Sequence, residues 1–352
     1  MKADAVPDNN TDAIKICLLD TGYDLDHPDL PKGEDAVTGT SEVGDSSSSW
    51  NTDPISHGTH VAGIIAAIGG NDIGVKGVIS NGNVKLHISK VFDDTGRSSI
   101  SAVLAGYQSC VANGAKVINI SLGSKRYSKA FQTLITSAYN NDGVITVAAA
   151  GNYRGNKDGE MIYAYPASFD HVLSVGSVDS ANHLSHLTTY NDKIDLVAPG
   201  TDILSTISGG VYGIGSGTSL ASPHVAGVAA LVWSTKPSLT NQEVMDILVD
   251  SATDLGDPGY DIFYGHGLVN AEEAYNLAQN SHLSLPPTAA PTPADQEVLH
   301  CETHSSDISV CSSFDGCFWY PAKSKCFPCT SITVEENCIV VQSCTWTGGV
   351  CE

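Results

Sequence analysis

Gly217-Thr218-Ser219-Leu220-Ala221-Ser222-Pro223-His224-Val225-Ala226-Gly227 is the stretch on which the reading of this chain turns. Small residues dominate it and continue towards Ser234, so Ser222 to Ser234 reads as a long helix buried against close neighbours rather than a surface helix. Ser219 stands where this helix opens, beside unpaired N–H groups and the positive end of the helix dipole. Working outward, residues from about 14 to 280 alternate short apolar runs with helical patterns, which predicts an α/β fold with a central, mostly parallel sheet. Ile14 to Leu19 reads as a strand ending at Asp20, and His57 opens a buried helix through Ala67. Strands over Val84 to Phe92, Val117 to Leu122 and Val144 to Ala149 alternate with helices over Ile100 to Asn113 and Lys129 to Asn140. A more amphipathic helix is expected from Gln242 to Ser251.

Three motifs then fall at element ends, where a rigid side chain can face a cleft. They are Asp20-Thr21-Gly22, His57-Gly58-Thr59-His60, and the serine stretch quoted above. Taken singly, the first reads as a turn and the second as a helix start. Together they supply the parts of a nucleophilic site. A serine hydroxyl needs a base to accept its proton, a histidine titrates near neutrality, and a buried carboxylate fixes the imidazole's tautomer.

In order and in wording, Asp-Thr-Gly, His-Gly-Thr-His and Gly-Thr-Ser-x-Ala-Ser-Pro-His-Val-Ala-Gly resemble the subtilisin-like serine proteases, over residues from roughly 3 to 280. The chain order Asp, His, Ser is the one for which subtilisin is the known case. The resemblance implies a three-layer subtilisin-like fold and peptide-bond hydrolysis, with Ser219 as nucleophile, His57 as general base and acid, and Asp20 as orienting carboxylate. It implies Asn152, in Ala148-Ala149-Ala150-Gly151-Asn152, as the oxyanion donor beside the Ser219 backbone N–H. His60 and His224 read as packing residues. The first substrate pocket would be walled by Ser121, Leu122 and Gly123 on one side and Ala148, Ala149, Ala150 and Gly151 on the other, with Ala164 as its floor. A second apolar pocket would use Ile100 and Val103 with Leu122. No acidic residue stands in those positions, so cleavage after apolar or aromatic residues is expected rather than after Arg or Lys. Leu220 stands where the family most often has methionine, which implies resistance to peroxide.

The resemblance also implies structural calcium held by Asp4, Asp29 and Asn71, with carbonyls of Gly69, Ile73 and Val75; the family commonly has glutamine where Asp4 stands. Hard oxygen donors of this mixed kind suit calcium. The alternative is that these are unrelated turn residues. Relatives usually need an N-terminal propeptide to fold, so this chain reads as a mature form that refolds with difficulty, and as a monomer acting on protein or peptide substrates.

Composition bounds the remaining possibilities. The chain has 352 residues, with 17 basic against 39 acidic side chains and a formal charge of −22. That surface repels nucleic acid and anionic lipid, and no apolar run is long enough to span a bilayer. Residues 1–280 are expected to form the catalytic domain, the proline-rich 281–298 a stiff linker, and 299–352 a cysteine-rich region. Eight of the ten cysteines lie between Cys301 and Cys351, in a spacing that suggests two tandem four-cysteine modules with Trp319 and Trp346 as matching positions. Such density implies an oxidising compartment and a secreted, extracellular protein. No apolar leader follows Met1, so Met1 is expected to be an artificial start or a processing boundary. Cys17 and Cys110 read as buried free thiols, with a mutual disulfide as the alternative. Two other readings stay open: a binding protein on an inactive protease scaffold, and an esterase, although the Gly-x-Ser-x-Gly elbow is absent at Ser219.

Overall fold

Period-two alternation in the first strand already divides the molecule into layers. In β1 (Lys15–Asp20), Ile16 and Leu18 enter one hydrophobic core while Cys17 and Leu19 enter another on the opposite face. A strand buried on both faces belongs in the middle of a parallel sheet covered by helices on each side. That is the observed architecture. The computed structural model describes residues 1–8, 13–43, 49–154 and 161–280, and four short strands further on.

The sheet runs β2-β3-β1-β4-β5-β6-β7, and every pairing in it is parallel. Its members after β1 are β2 (Val37–Ser41), β3 (Lys85–Lys90), β4 (Val117–Ile120), β5 (Ile145–Ala149), β6 (Val172–Val178) and β7 (Leu196–Pro199). One face carries α1 (His57–Ala66), α4 (Thr218–Thr235), α5 (Asn241–Asp250) and α6 (Ala271–Asn280). The other carries α2 (Ile100–Ala112) and α3 (Lys129–Ser137). A hairpin of β8 (Ile203–Ile207) and β9 (Val211–Gly215) stands apart from the main sheet and packs on α1.

Helix α4 begins at Thr218, four residues before the expected Ser222, so Ser219 lies in its first turn. Pro223 lies inside α4 and has no N–H to give the Ser219 carbonyl, which accepts the Ser121 hydroxyl at 2.8 Å instead. Helix α3 ends at Ser137 and passes into a π turn over Ala138–Asp142, closed by Gly143 at φ +64°. Strands β2, β6, β7, β8 and β9 were not expected from the sequence pattern.

Cys17 and Cys110 form a disulfide, which corrects the expectation of free thiols. The reason is packing: α2 lies on β1, and both cysteines point into the same fully buried layer between them. The chain divides into two units, Met1–Leu283 and Ser284–Glu352. In the second, β10 (Cys317–Tyr320) pairs antiparallel with β11 (Lys325–Pro328), and β12 (Trp346–Thr347) with β13 (Val350–Cys351). The linker and the expected four-cysteine modules otherwise lie outside the described residues. Among the described residues no helix is long and apolar enough to cross a membrane.

Candidate active site

From β1 the chain builds outward to β3 and β2 and then returns to the other side of β1 with β4, so the strand order reverses between β1 and β4. Crossovers diverge at such a point and leave a crevice at the carboxyl ends of the strands. Asp20 is the last residue of β1, and Ser121 directly follows β4. Asn152 follows β5 by three residues.

Asp20 is buried, and its Oδ1 accepts the Thr21 backbone N–H at 2.8 Å. The same oxygen meets His57 Nδ1 at 2.7 Å. Since a carboxylate oxygen accepts, Nδ1 carries the proton and Nε2 is the free base. The His57 side chain is 35% exposed, enough to meet a substrate. The charge of Asp20 raises the His57 pKa; burial opposes that, and the hydrogen bond to Asp20 and the charge of Asp53 add to it. Asp20 Oδ2 is buried and has no hydrogen-bond partner among the described residues.

Ser219 and Asn152 meet over Gly217. This residue has φ +154°, and a Cβ built on it would lie 3.0 Å from Asn152 Nδ2 and 3.4 Å from Ser219 Oγ. A side chain would therefore stand between the amide nitrogen and the hydroxyl, and glycine leaves that space open. Asn152 Oδ1 accepts the Thr218 N–H at 2.9 Å and its hydroxyl at 3.0 Å. With the oxygen so engaged, the amide presents its N–H bonds to the space beside Ser219. Helices α1 and α4 pack together. No hydrogen bond joins His57 to Ser219 among the described residues, as is common where no substrate aligns the pair.

The pocket residues come together only in part. Ser124 and Tyr165 exchange backbone hydrogen bonds at 3.0 and 2.8 Å, which joins the wall after β4 to the segment holding Ala164. Ala149, Ala150 and Ala164 are buried beside this seam, and Gly151 is held at φ +102°. Ser121 turns its hydroxyl inward to the Ser219 carbonyl at 2.8 Å and fastens α4 to the sheet. Ala148 and Val103 belong to the core beneath the cleft, because β5 and α2 turn these positions towards the sheet's second core. Ile100, by contrast, is 55% exposed. Leu220 is buried, its Cδ1 2.8 Å from where a Cβ of Gly215 would stand.

His60 Nε2 bonds the carbonyls of Ile203 and Gly213 at 3.1 and 3.2 Å, so it pins the β8–β9 hairpin to α1. His224 Nδ1 bonds the Leu220 carbonyl at 2.8 Å, and burial pushes its pKa down to about 4.

Of the expected calcium ligands, Asp29 and Asn71 do meet. Asp29 is fully buried, and its oxygens accept Asn71 Nδ2 at 2.7 Å and the Val75 N–H at 2.9 Å. Gly74 permits this approach, since a Cβ there would lie 2.2 Å from Asp29 Oδ2. Asp4 is not brought in as a ligand. It is 79% exposed and pairs with Lys76 at 2.5 Å, because that lysine extends from the same loop and offers a cation directly. A buried carboxylate and an amide are donor types that a hard cation takes, but as placed the Asn71 amide gives its N–H to Asp29 and its Oδ1 accepts the Ile73 N–H at 3.3 Å. Among the described residues no cluster of three or more His, Cys, Asp or Glu side chains could hold a metal.

The subtilase family model matches residues 11–267. This chain belongs to the subtilase family. Subtilisin of Bacillus pumilus is 40% identical over 261 residues, covering 74% of this chain and 90% of that protein. Subtilisin DY of Bacillus licheniformis is 41% identical over the same length and shares. Subtilisin E of Bacillus subtilis (strain 168) is 40% identical, but the match spans only 65% of its length. Among solved structures, the psychrophilic subtilisin-like protease Apa1 from the Antarctic psychrotroph Pseudoalteromonas sp. AS-11 superposes with a TM-score of 0.71 at 26% identity. That superposition covers 79% of this chain and 96% of the other.

Within this subtilase, sequence reasoning missed Thr218, which aims Asn152, and Asp53, which gathers hydrogen bonds from both the Asp20 turn and the His57 helix. Both are short polar residues beside glycine or in a turn, where a local role is the ordinary reading.

Proposed function

We propose that this subtilase is a secreted serine endopeptidase, most active after apolar or aromatic residues. The reading is supported by the Asp20–His57 pair and by the approach of Asn152 and Ser219 over Gly217. His57 Nε2 takes the proton of Ser219 as its oxygen attacks the scissile carbonyl. Asp20 steadies the imidazolium without taking its proton. The oxyanion receives the Asn152 amide and the Ser219 backbone N–H, at the positive end of α4. His57 returns the proton to the leaving amine, and water then hydrolyses the acyl-enzyme by the same route.

The apolar preference is supported by the alanine walls and by Ile100. Lys125 adds to it, its Nζ lying 4.7 Å from the Tyr153 ring centre beside Asn152, where it repels a basic side chain. A structural calcium would be held by Asp29, Asn71 and the carbonyls of their loop, and would tie that loop together without entering the chemistry. Membership of the subtilase family also supports an N-terminal propeptide as a folding aid, and the acidic surface supports a monomer.

The test is digestion of casein followed by sequencing of the new amino termini. Cuts after Phe, Tyr, Leu and similar residues, lost in Ser219→Ala, are expected. Cuts concentrated after Arg or Lys would refute the preference, and absence of any cuts the reading as a whole.

A further inference from the structure

Asp53 is a buried carboxylate, 3% exposed, that the hydrolytic steps above do not use. Its two oxygens are saturated. Oδ1 accepts the Thr21 hydroxyl at 2.7 Å and the Ser56 N–H at 3.0 Å. Oδ2 accepts the Thr59 N–H and the Thr59 hydroxyl, both at 2.8 Å. A carboxylate offers about four acceptor sites, so none is left for water.

These partners come from two places that must stay in register. Thr21 follows Asp20 directly, and its own N–H is one of the groups holding that carboxylate. Ser56 precedes His57, which opens α1, and Thr59 follows in the helix's first turn. The residue preceding the helix, Ser56, makes no side-chain cap. The first-turn N–H groups are capped from outside instead: Gly58 donates to Thr21 Oγ1 at 2.9 Å, and Thr59 donates to Asp53. A single anion thus joins the backbone after one member of the catalytic pair to the backbone around the other.

We propose that Asp53 is a positioning residue for hydrolysis, a second buried carboxylate that fastens the Asp20–Thr21 turn to the helix bearing His57. This rests on the endopeptidase reading above. Charge gives it a second effect, because an anion near His57 favours the imidazolium; its influence comes after that of Asp20.

The other charged and titratable groups packed around this junction are Asp20 on β1, Asp24 in the loop after it, His57 and His60 on α1, and Lys90 on β3. Lys90 is fully buried; it donates to the Thr21 carbonyl and pairs with Asp94 at 3.1 Å. Asp24 donates its backbone N–H to Thr59 Oγ1 at 3.0 Å. Asp26 lines the same open pocket as Asp24 and Asp53. None of these groups duplicates the bridge that Asp53 makes.

Asp53→Asn in the full chain keeps the shape and removes the charge. The acid limb of kcat/KM, and the titration of the His57 imidazole followed by NMR, should both move to lower pH. A role confined to holding the fold would lower the thermal midpoint and leave both titrations where they were. Thr21→Val removes the bridge without touching any charge. It should lower kcat roughly ten-fold with KM little changed, as expected for a slight misplacement of reacting groups, while Thr21→Ser should restore it. Should Asp53→Asn not fold, the Thr21 pair decides. An unmoved His57 titration in folded Asp53→Asn, or wild-type kcat in Thr21→Val, overturns the proposal. Wild-type protein that titrates normally but cleaves nothing would instead overturn the endopeptidase reading.

Discussion

The Thr218 hydroxyl stands 3.0 Å from Asn152 Oδ1 and also accepts the Gly151 N–H at 3.1 Å. Together with its own N–H, Thr218 fixes which end of the Asn152 amide faces Ser219. The residue before Ser219 thereby orients the amide proposed as the oxyanion donor.

Replacing Asn152 with Ala should therefore lower kcat about 100- to 1000-fold with little change in KM, the loss known for a subtilisin deprived of this amide. Thr218→Val should do the same more weakly, roughly five- to thirty-fold, since it removes one hydrogen bond that orients the donor. Steady-state kinetics on a peptide anilide separates kcat from KM. A change confined to KM would count against both roles.

The pH profile follows from the Asp20–His57 pair. His57 acts as a base only when neutral, and its pKa is raised chiefly by the Asp20 charge. The rising limb of kcat/KM should consequently have its midpoint above the ordinary histidine value of 6.5. Asp20→Asn should shift that limb to lower pH and reduce kcat by roughly ten-thousand-fold, a size seen when other serine proteases lose this carboxylate. A limb at or below the ordinary value in the wild type would contradict the pairing.

Asp195 predicts a separate effect on stability. Burial raises its pKa to about 7 from 3.8, despite a hydrogen bond from the Ser174 N–H at 2.7 Å. The folded protein then keeps this proton where the unfolded chain has lost it. Stability contributed here is greatest below the unfolded value and declines as pH rises towards the folded one. Asp195→Asn should remove that decline and stabilise the protein at pH 8 by an amount on the order of a few kcal/mol. Thermal midpoints at acid and alkaline pH, compared between the two proteins, would show it.

The disulfide closes a long loop, with 93 residues separating Cys17 from Cys110. Converting both cysteines to Ala should lower the unfolding free energy by about 2–5 kcal/mol. Both residues are fully buried. Reductant should consequently leave the native enzyme active at low temperature while reducing the yield of refolding. Denaturant curves of the double variant give the stability difference directly.

Chelation tests the loop around Asp29. If a cation bridges Asp29, Asn71 and their neighbouring carbonyls, EDTA should lower the thermal midpoint and expose the loop to cleavage. Asp29→Asn should abolish the response to EDTA. An unchanged midpoint would mean that the hydrogen bonds from Asn71 and Val75 to Asp29 hold the loop unaided.

Much of this was legible from the sequence where local chemistry and periodicity agree. The apolar run before Asp20 and the small-residue run after Ser219 announce a central strand and a buried helix without help from the rest of the chain. Strands such as β2 (Val37–Ser41) and β9 (Val211–Gly215) carry glycine and threonine with little apolar alternation, so their pairing depends on neighbours remote in sequence. The state of Cys17 and Cys110 was equally hidden, because spacing cannot show that α2 folds onto β1. Val103 and Ile100 lie only three residues apart on α2, yet one enters the core and the other faces solvent; that distinction is set by how the helix rolls on the sheet. Asp53 escaped notice for a related reason, since two of its four hydrogen bonds look like an ordinary turn and their catalytic meaning depends on where Thr21 lies.

Labelling with a fluorophosphonate, read by intact mass and peptide mapping, tests most directly whether Ser219 is an activated nucleophile. One adduct per chain on Ser219, abolished in His57→Ala, is the predicted result. Absence of labelling in correctly folded wild-type protein, or an adduct on another serine, would contradict it.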